Sequence, residues 1–234
     1  MNQSQAKAAD ASASHGESPL ARISSSTFKK SDHNFLHYYY LVPCIRRAGE
    51  ISRGRLLDIG CGNKPYRELF PHVEEYIGCD VAHSSLNLVD VLCPADRIPL
   101  PDLSFDVVIS TQTIEHVENF NGLLTEAFRL LKPGGILFLS GPMYWYLHEE
   151  PYDFHRFTKY GFQRAVERAG FHLQSIEPNG GKWSTLGLAI IHTVPLPFNR
   201  RIFRRFVNGL FLWLDKKDYD PYNTSNYFVV ARKS

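Results

Sequence analysis

Two short runs of the chain hold residue types that could do chemistry. The first is LLDIGCGNKPY, residues 56–66, where an apolar run ends at Asp58 and Gly60 and Gly62 follow one residue apart. A side chain at such a turn would block a nucleoside laid across it, and glycine removes the obstacle. Asp80 closes the next apolar run, 18 residues after Gly62. A carboxylate there can accept two hydrogen bonds from a ribose diol. A third glycine is missing, and Lys64 and Pro65 stand near its place. A dinucleotide needs its pyrophosphate on a helix N-terminus packed close to the strand, and proline has no N–H to donate. A nucleoside without phosphates, ending in an amino acid, has no such need, and Asp58 can face its ammonium group. S-adenosylmethionine fits that description.

The second run is YWYLHEEPYDFHRF, residues 144–157, which crowds His148, Glu149, Glu150, Asp153, His155 and Arg156 among aromatic rings. Methyl transfer from a sulfonium is an in-line displacement, so a protein chiefly positions the nucleophile and excludes water. A hydroxyl acceptor also calls for a general base, and His148 is the expected one. Asp153 and Arg156 are expected to pair around the PYDF turn. His148, Glu149 and His155 match no standard metal-ligand spacing, so no metal is expected. Phe154 and Phe157 read as core. Tyr144, Trp145 and Tyr146 read equally as core or as a stacking surface for a ring-shaped acceptor.

These runs must be held by a scaffold, and the rest of the chain supplies the pattern of one. RGRLLDIG, EEYIGCD, LNLVDVL, SFDVVIST and GILFLSG read as five buried strands. NFNGLLTEAFRLLKPGG reads as a helix with a glycine stop, and TKYGFQRAVERAGF as a helix from an N-cap at Thr158 to Gly170. NFLHYYYLVPCIRRA has helical spacing with a break at Pro43, and FHLQSIEP and NYFVVARK close the series as strands. Strands alternating with helices predict a doubly wound α/β sheet.

LLDIGCGNKPY, YIGCD, IPLPDLSFDVVISTQTIEHV, LLKPGGILFLSGP and PYDFHRFTKYGFQRAVERAGF follow one another in this order. Together they resemble the class I S-adenosylmethionine-dependent methyltransferases, over roughly residues 34–178 and the final strand. The resemblance implies a Rossmann-like seven-stranded sheet whose last strand is antiparallel. It implies that Asp58, Gly60, Cys61 and Gly62 lie against the methionine and ribose of the cofactor, with Asp80 and Val81 at the ribose. Ala95 would offer its N–H to the adenine, Asp96 would stand in for an acid absent at Pro94, and Thr111 and Gln112 would line the pocket. Glu115 and His116 read as helix capping and packing, or as direct contacts. Motifs of amino-methylating DNA enzymes and of pyrimidine C5 enzymes are absent.

Composition bounds the rest. With 234 residues, 44% apolar, 21% charged and a net charge of +2, the chain lacks the basic bias of a nucleic-acid binder. Residues 1–30 are rich in Ser, Ala and Gln and read as a disordered tail, leaving 31–234 as a single domain. No apolar run reaches the length of a membrane span; the nearest, Trp183 to Asn199, contains Pro195 and Pro197. Cys44, Cys61, Cys79 and Cys93 form no CxxC pair and read as buried free thiols, so the cytoplasm is expected.

Residues 181–217 form a helical insertion before the last strand. Ile202, Phe203, Phe206, Val207, Leu210, Phe211 and Leu214 are expected on one stripe of it, facing the sheet edge or a second copy in a homodimer. Its arginines and lysines also suit peripheral membrane contact through 200–217. The expected activity is methylation, most simply on oxygen, of a small-molecule or glycan acceptor. The alternatives are an inactive cofactor-binding subunit and a nicotinamide enzyme, the latter opposed by Lys64 and Pro65.

Overall fold

The computed structural model describes residues 26–194 and 200–234. The tail expected over 1–30 falls mostly outside them, as do Pro195 and Pro197. Among the described residues, seven strands form one sheet. They are β1 (Gly54–Ile59), β2 (Val73–Asp80), β3 (Val91–Leu92), β4 (Phe105–Thr111), β5 (Leu131–Pro142), β6 (Phe171–Asn179) and β7 (Asn226–Lys233). The helices are α1 (Phe35–Ile51), α2 (Phe120–Leu130), α3 (Lys159–Arg168), α4 (Lys182–Thr193) and α5 (Arg200–Lys217).

Strand order is β3-β2-β1-β4-β5-β7-β6, and β7 runs antiparallel to both β5 and β6. The order reverses between β1 and β4, the place where open α/β sheets bind ligands at their C-terminal strand ends. The expected fold is therefore the observed one, including the antiparallel last strand.

Side chains alternate across a strand, and that alternation builds a core on each face. Leu57, Val108, Leu137, Leu139 and Val229 meet α2 and α3 through Leu123, Leu124, Phe162 and Val166. Leu56, Val107, Ile109, Phe138 and Phe228 meet α1 through Leu41, Cys44 and Ile45. A third cluster joins Phe35 and Leu36 of α1 to Leu188 of α4 and Leu212 of α5. No described helix is long and apolar enough to cross a membrane, and all four cysteines are buried and free.

Several expectations are corrected. Pro43 lies inside α1 without ending it. It sits on the exposed side, where water can meet the carbonyl that its ring leaves without a donor. The third strand is only two residues long. α2 has no glycine stop: Leu131 turns directly into extended backbone, and Gly134 lies within β5. α3 starts and ends as expected, with the Thr158 hydroxyl accepting the Gly161 N–H at 3.1 Å and Gly170 at φ +96°.

The stripe expected on α5 splits. Val207 is buried, but Ile202 and Phe206 are 66% and 65% exposed, and Leu210 and Trp213 also face outward. The buried face is shared between Val207 and Leu212 and the polar residues Asn208 and Asp215. Asp215 accepts the Tyr40 hydroxyl at 2.7 Å and the N–H groups of Gly181, Trp183 and Ser184, capping α4. Asn208 donates to the carbonyls of Lys30 and Asp32. An unmade buried hydrogen bond costs about 1–3 kcal/mol, enough to orient the helix by these groups.

Candidate active site

The glycine loop leaves β1 at Asp58 and doubles back over the sheet. Gly60 has φ +76°, and a Cβ there would fall 2.2 Å from the Thr113 hydroxyl. Any larger residue would meet both a backbone conformation it resists and a side chain it overlaps. The N–H groups of Gly60 and Cys61 donate to the Cys79 carbonyl on β2 at 2.8 and 3.1 Å. Asp80, also buried, accepts the Gly62 N–H at 2.9 Å and the Val81 N–H at 2.8 Å. The loop and the acid expected to grip a ribose are thus bonded to each other next to the point where the sheet order reverses.

Asp58 is buried and accepts the Tyr76 hydroxyl at 2.7 Å. Burial pushes its carboxyl up to about 7; the Tyr76 hydroxyl opposes the rise and Asp80 adds to it. An incoming cation beside Asp58 would find a carboxyl ready to ionise.

Lys64 was read only as a misfit to a dinucleotide loop. It is buried, ion-paired with Asp90, and its ammonium lies 5.9 Å from the Tyr76 ring centroid. Asp90 in turn accepts the Gly78 N–H at 2.7 Å. The lysine therefore props the loop from beneath, a role that no sequence spacing signals.

The other residues expected at the cofactor are placed as follows. Cys61 is buried, and burial pushes its thiol up. Val81 is 72% exposed at the end of β2. Ala95 is half-buried against the core. Asp96 accepts from the side-chain amide of Asn119, the N-cap of α2. Thr111 ends β4, while the Gln112 amide donates to Ser140 and Asn226 and ties the tops of β5 and β7 together. An open cleft of about 520 Å³ lies apart from all of these, between α1 and the end of β6, with Tyr39, Pro43 and Arg47 on one side and Glu177 and Asn179 on the other.

Opposite the glycine loop, the segment 143–157 folds over the turn Ile114–His116. The Phe154 and His155 N–H groups both donate to the Glu115 carbonyl. Asp153 and Arg156 form the expected pair, bidentate at 2.6 and 2.7 Å. Burial works to raise the Asp153 carboxyl, but Arg156 and the His148 N–H hold it at about 2. Phe157 is core as expected; Phe154 is not, being 40% exposed beside the folded loop. Trp145 packs between His37 and His192, whereas Tyr144 and Tyr146 are exposed.

His148 Nδ1 stands 3.1 Å from the Asp153 carboxylate and 3.2 Å from the Tyr146 carbonyl. Both neighbours accept only, so Nδ1 carries the proton and Nε2 a lone pair. Burial, then His116, holds its pKa below the ordinary value. A neutral imidazole with a free Nε2 can accept a proton from an acceptor hydroxyl.

Glu115 and His116, which the sequence offers as capping and packing or as direct contacts, stand beside it. Glu115 is buried with its Oε2 unpartnered, and burial pushes its carboxyl up to about 8. The His116 ring lies 4.7 Å from the His148 ring. The adjacent pair Glu115–His116 at a strand end was the available signal.

Residues 57–139 match the family model described as a methyltransferase domain. Over 121 residues the chain is 33% identical to a protein of Mycolicibacterium smegmatis described as a probable S-adenosylmethionine-dependent methyltransferase, covering 48% of this chain and 47% of that one. It is 30% identical over 100 residues to a ubiquinone biosynthesis O-methyltransferase of Maricaulis maris, covering 36% and 38%. The chain thus spans about half or less of the length of these curated relatives. Among solved structures, a SAM-dependent methyltransferase from Archaeoglobus fulgidus shares the fold with a TM-score of 0.56, 20% identity, and coverage of 82% and 92%.

Proposed function

We propose that this chain, with its methyltransferase domain of the S-adenosylmethionine-dependent class I type, is a methyltransferase acting on oxygen of a small-molecule or glycan acceptor. The observation that carries the reading is the bond from Gly62 N–H to Asp80, which ties the loop after β1 to the end of β2, next to the reversal of strand order between β1 and β4. It fixes a carboxylate beside the glycine loop, the acceptor that a ribose diol requires.

In this reading Gly60 and Gly62 lie under the nucleoside, Asp80 takes the ribose hydroxyls, and Asp58 faces the ammonium of the methionine end. The cofactor would supply an electrophilic methyl group, and the 143–157 segment would receive the acceptor. There the acceptor oxygen meets His148, which activates it. The oxygen attacks the methyl carbon in line, the C–S bond breaks, and the thioether leaves uncharged. Low exposure of Asp58, Asp80 and Glu115 supports a site that excludes water, which strengthens each electrostatic contact within it.

Titration of the protein with S-adenosylhomocysteine tests the cofactor reading directly. Saturable one-to-one heat is expected, and none with NADH. Absence of heat with S-adenosylhomocysteine would end the proposal.

The outward row Ile202, Phe206, Leu210 and Trp213 supports an acceptor met at a membrane surface. Arg200, Arg201, Arg205, Lys216 and Lys217 are also exposed on α5, and its one carboxylate, Asp215, is buried. Apolar side chains ringed by cations suit an anionic bilayer surface. Flotation with vesicles rich in phosphatidylglycerol, but not with neutral ones, is the expected outcome.

A further inference from the structure

The turn after β4 and the loop after β5 bring three metal-ligating side chains together. One ligand atom from each of Glu115, His116 and His148 lies within 4.8 Å of the others. We infer that these residues form a site for a divalent cation of the zinc type, bound by the carboxylate of Glu115 and the Nε2 atoms of the two histidines.

The arrangement of protons favours this. His116 Nδ1 is 2.8 Å from the Tyr152 carbonyl, which can only accept. Its proton is therefore on Nδ1, and its Nε2 lone pair faces the cluster on the side of Glu149, 3.9 Å away. His148 is held in the same tautomer by Asp153 and the Tyr146 carbonyl. Metal-bound histidines commonly donate the other ring N–H to a carbonyl or a carboxylate, which fixes ring and tautomer. Here one histidine has each kind of partner.

Glu115 supplies a second, independent sign. It is 1% exposed, and its Oε2 has no hydrogen-bond partner. Buried polar atoms are nearly always satisfied, and a buried oxygen without a partner is costly. A cation among the three groups would give that oxygen its partner. Arg156, the positive charge that acts on Glu115, is already engaged by Asp153. Glu149 adds a further negative group at the rim.

Two imidazoles and one carboxylate leave a position open for an outside ligand, the pattern of catalytic rather than structural zinc sites. The inference rests on the methyltransferase reading for its use, and it alters the part assigned to His148. An acceptor hydroxyl bound at the open position loses its proton to solvent more readily. The resulting oxygen takes the methyl carbon as the C–S bond breaks. His148 then acts through the cation it helps to hold, and acceptors with an oxygen able to bind a metal are favoured.

The test is direct binding. Chelator-stripped protein is titrated with zinc chloride, and separately with cobalt(II), whose visible bands report an asymmetric nitrogen–oxygen site. One saturable site is expected, lost in Glu115→Gln, His116→Gln and His148→Gln. Asp153→Asn leaves the three ligands in place but removes the carboxylate behind His148, along with its pair to Arg156, and should weaken zinc by about 10- to 100-fold.

Thermal melts of the stripped variants identify any that fail to fold; the folded ones decide. No saturable zinc or cobalt binding by the unaltered protein, or equal binding by folded variants, overturns the site. S-adenosylhomocysteine is titrated on the same stripped protein. Zinc binding without S-adenosylhomocysteine binding would sink the methyl-transfer reading and leave the metal site standing.

Discussion

The two halves of the strand-top surface are built by different means. On the β1–β2 side, backbone does most of the work: Gly60, Cys61 and Gly62 are held through their own N–H groups by Cys79 and Asp80. On the β4–β5 side, side chains do it: Asp153 gathers Arg156, the His148 ring and the His148 N–H, while Glu115 is left buried and unpartnered. The first arrangement is fixed by backbone geometry. The second can be retuned by single substitutions without moving the scaffold, as expected where an acceptor is chosen.

If the halves are separable in this way, damage to one should spare the other. The largest effect is expected from His148→Ala. Turnover with any productive acceptor should fall by about 10²–10⁴-fold, while S-adenosylhomocysteine binding measured by calorimetry stays unchanged. Asp80→Ala should do the reverse, weakening S-adenosylhomocysteine by about 10- to 150-fold, the worth of roughly 1.5–3 kcal/mol for a bond to a charged group. Equal losses of cofactor affinity in both variants would erase the distinction.

A pH series sharpens the same contrast. The Asp58 carboxyl is raised in the folded protein from 3.8 to about 7. Between those values the folded state holds a proton that the unfolded state has lost, so this group lowers stability as pH rises through that window. A cationic ligand beside Asp58 favours the ionised form. Cofactor affinity should therefore rise with pH toward about 7, and binding below it should release a proton. Calorimetry in buffers of differing ionisation enthalpy reads that proton, and Asp58→Asn should remove both effects.

Smaller effects probe the supports. Thr158→Ala deletes the N-cap of α3 and should cost about 1 kcal/mol in a urea melt, with cofactor affinity untouched. Ile202→Asp with Phe206→Asp changes only the outward row of α5. It should shift stability by less than about 0.5 kcal/mol and abolish flotation with anionic vesicles.

What the sequence made legible follows the same division. LLDIG and VVIST are runs buried on both faces, and such runs announce parallel strands on their own. The glycine pair and Asp80 were readable because backbone geometry demands those residue types at those places. The β4–β5 side is harder to read, since Glu115, His116 and His148 meet only when β4 and β5 bring two distant loops together.

On α5 apolar content misled. Seven apolar residues were assigned to one stripe, yet Asp215 and Asn208 reach partners on α4, α1 and the segment before α1, and their hydrogen bonds set which side faces inward. Pro43 misled for a related reason, because a solvent-facing carbonyl can tolerate the loss of its donor. Of the residues assigned to the cofactor by resemblance, Asp96 and Gln112 spend their side chains on neighbouring elements.

Lys64, wedged beneath the glycine turn and only 8% exposed, is a built-in reporter of breathing. An amine-directed label can reach its nitrogen only while the turn lifts from β2. The labelling rate at this one position therefore measures how often the glycine turn comes apart from β2, and any ligand that settles on the turn should slow it.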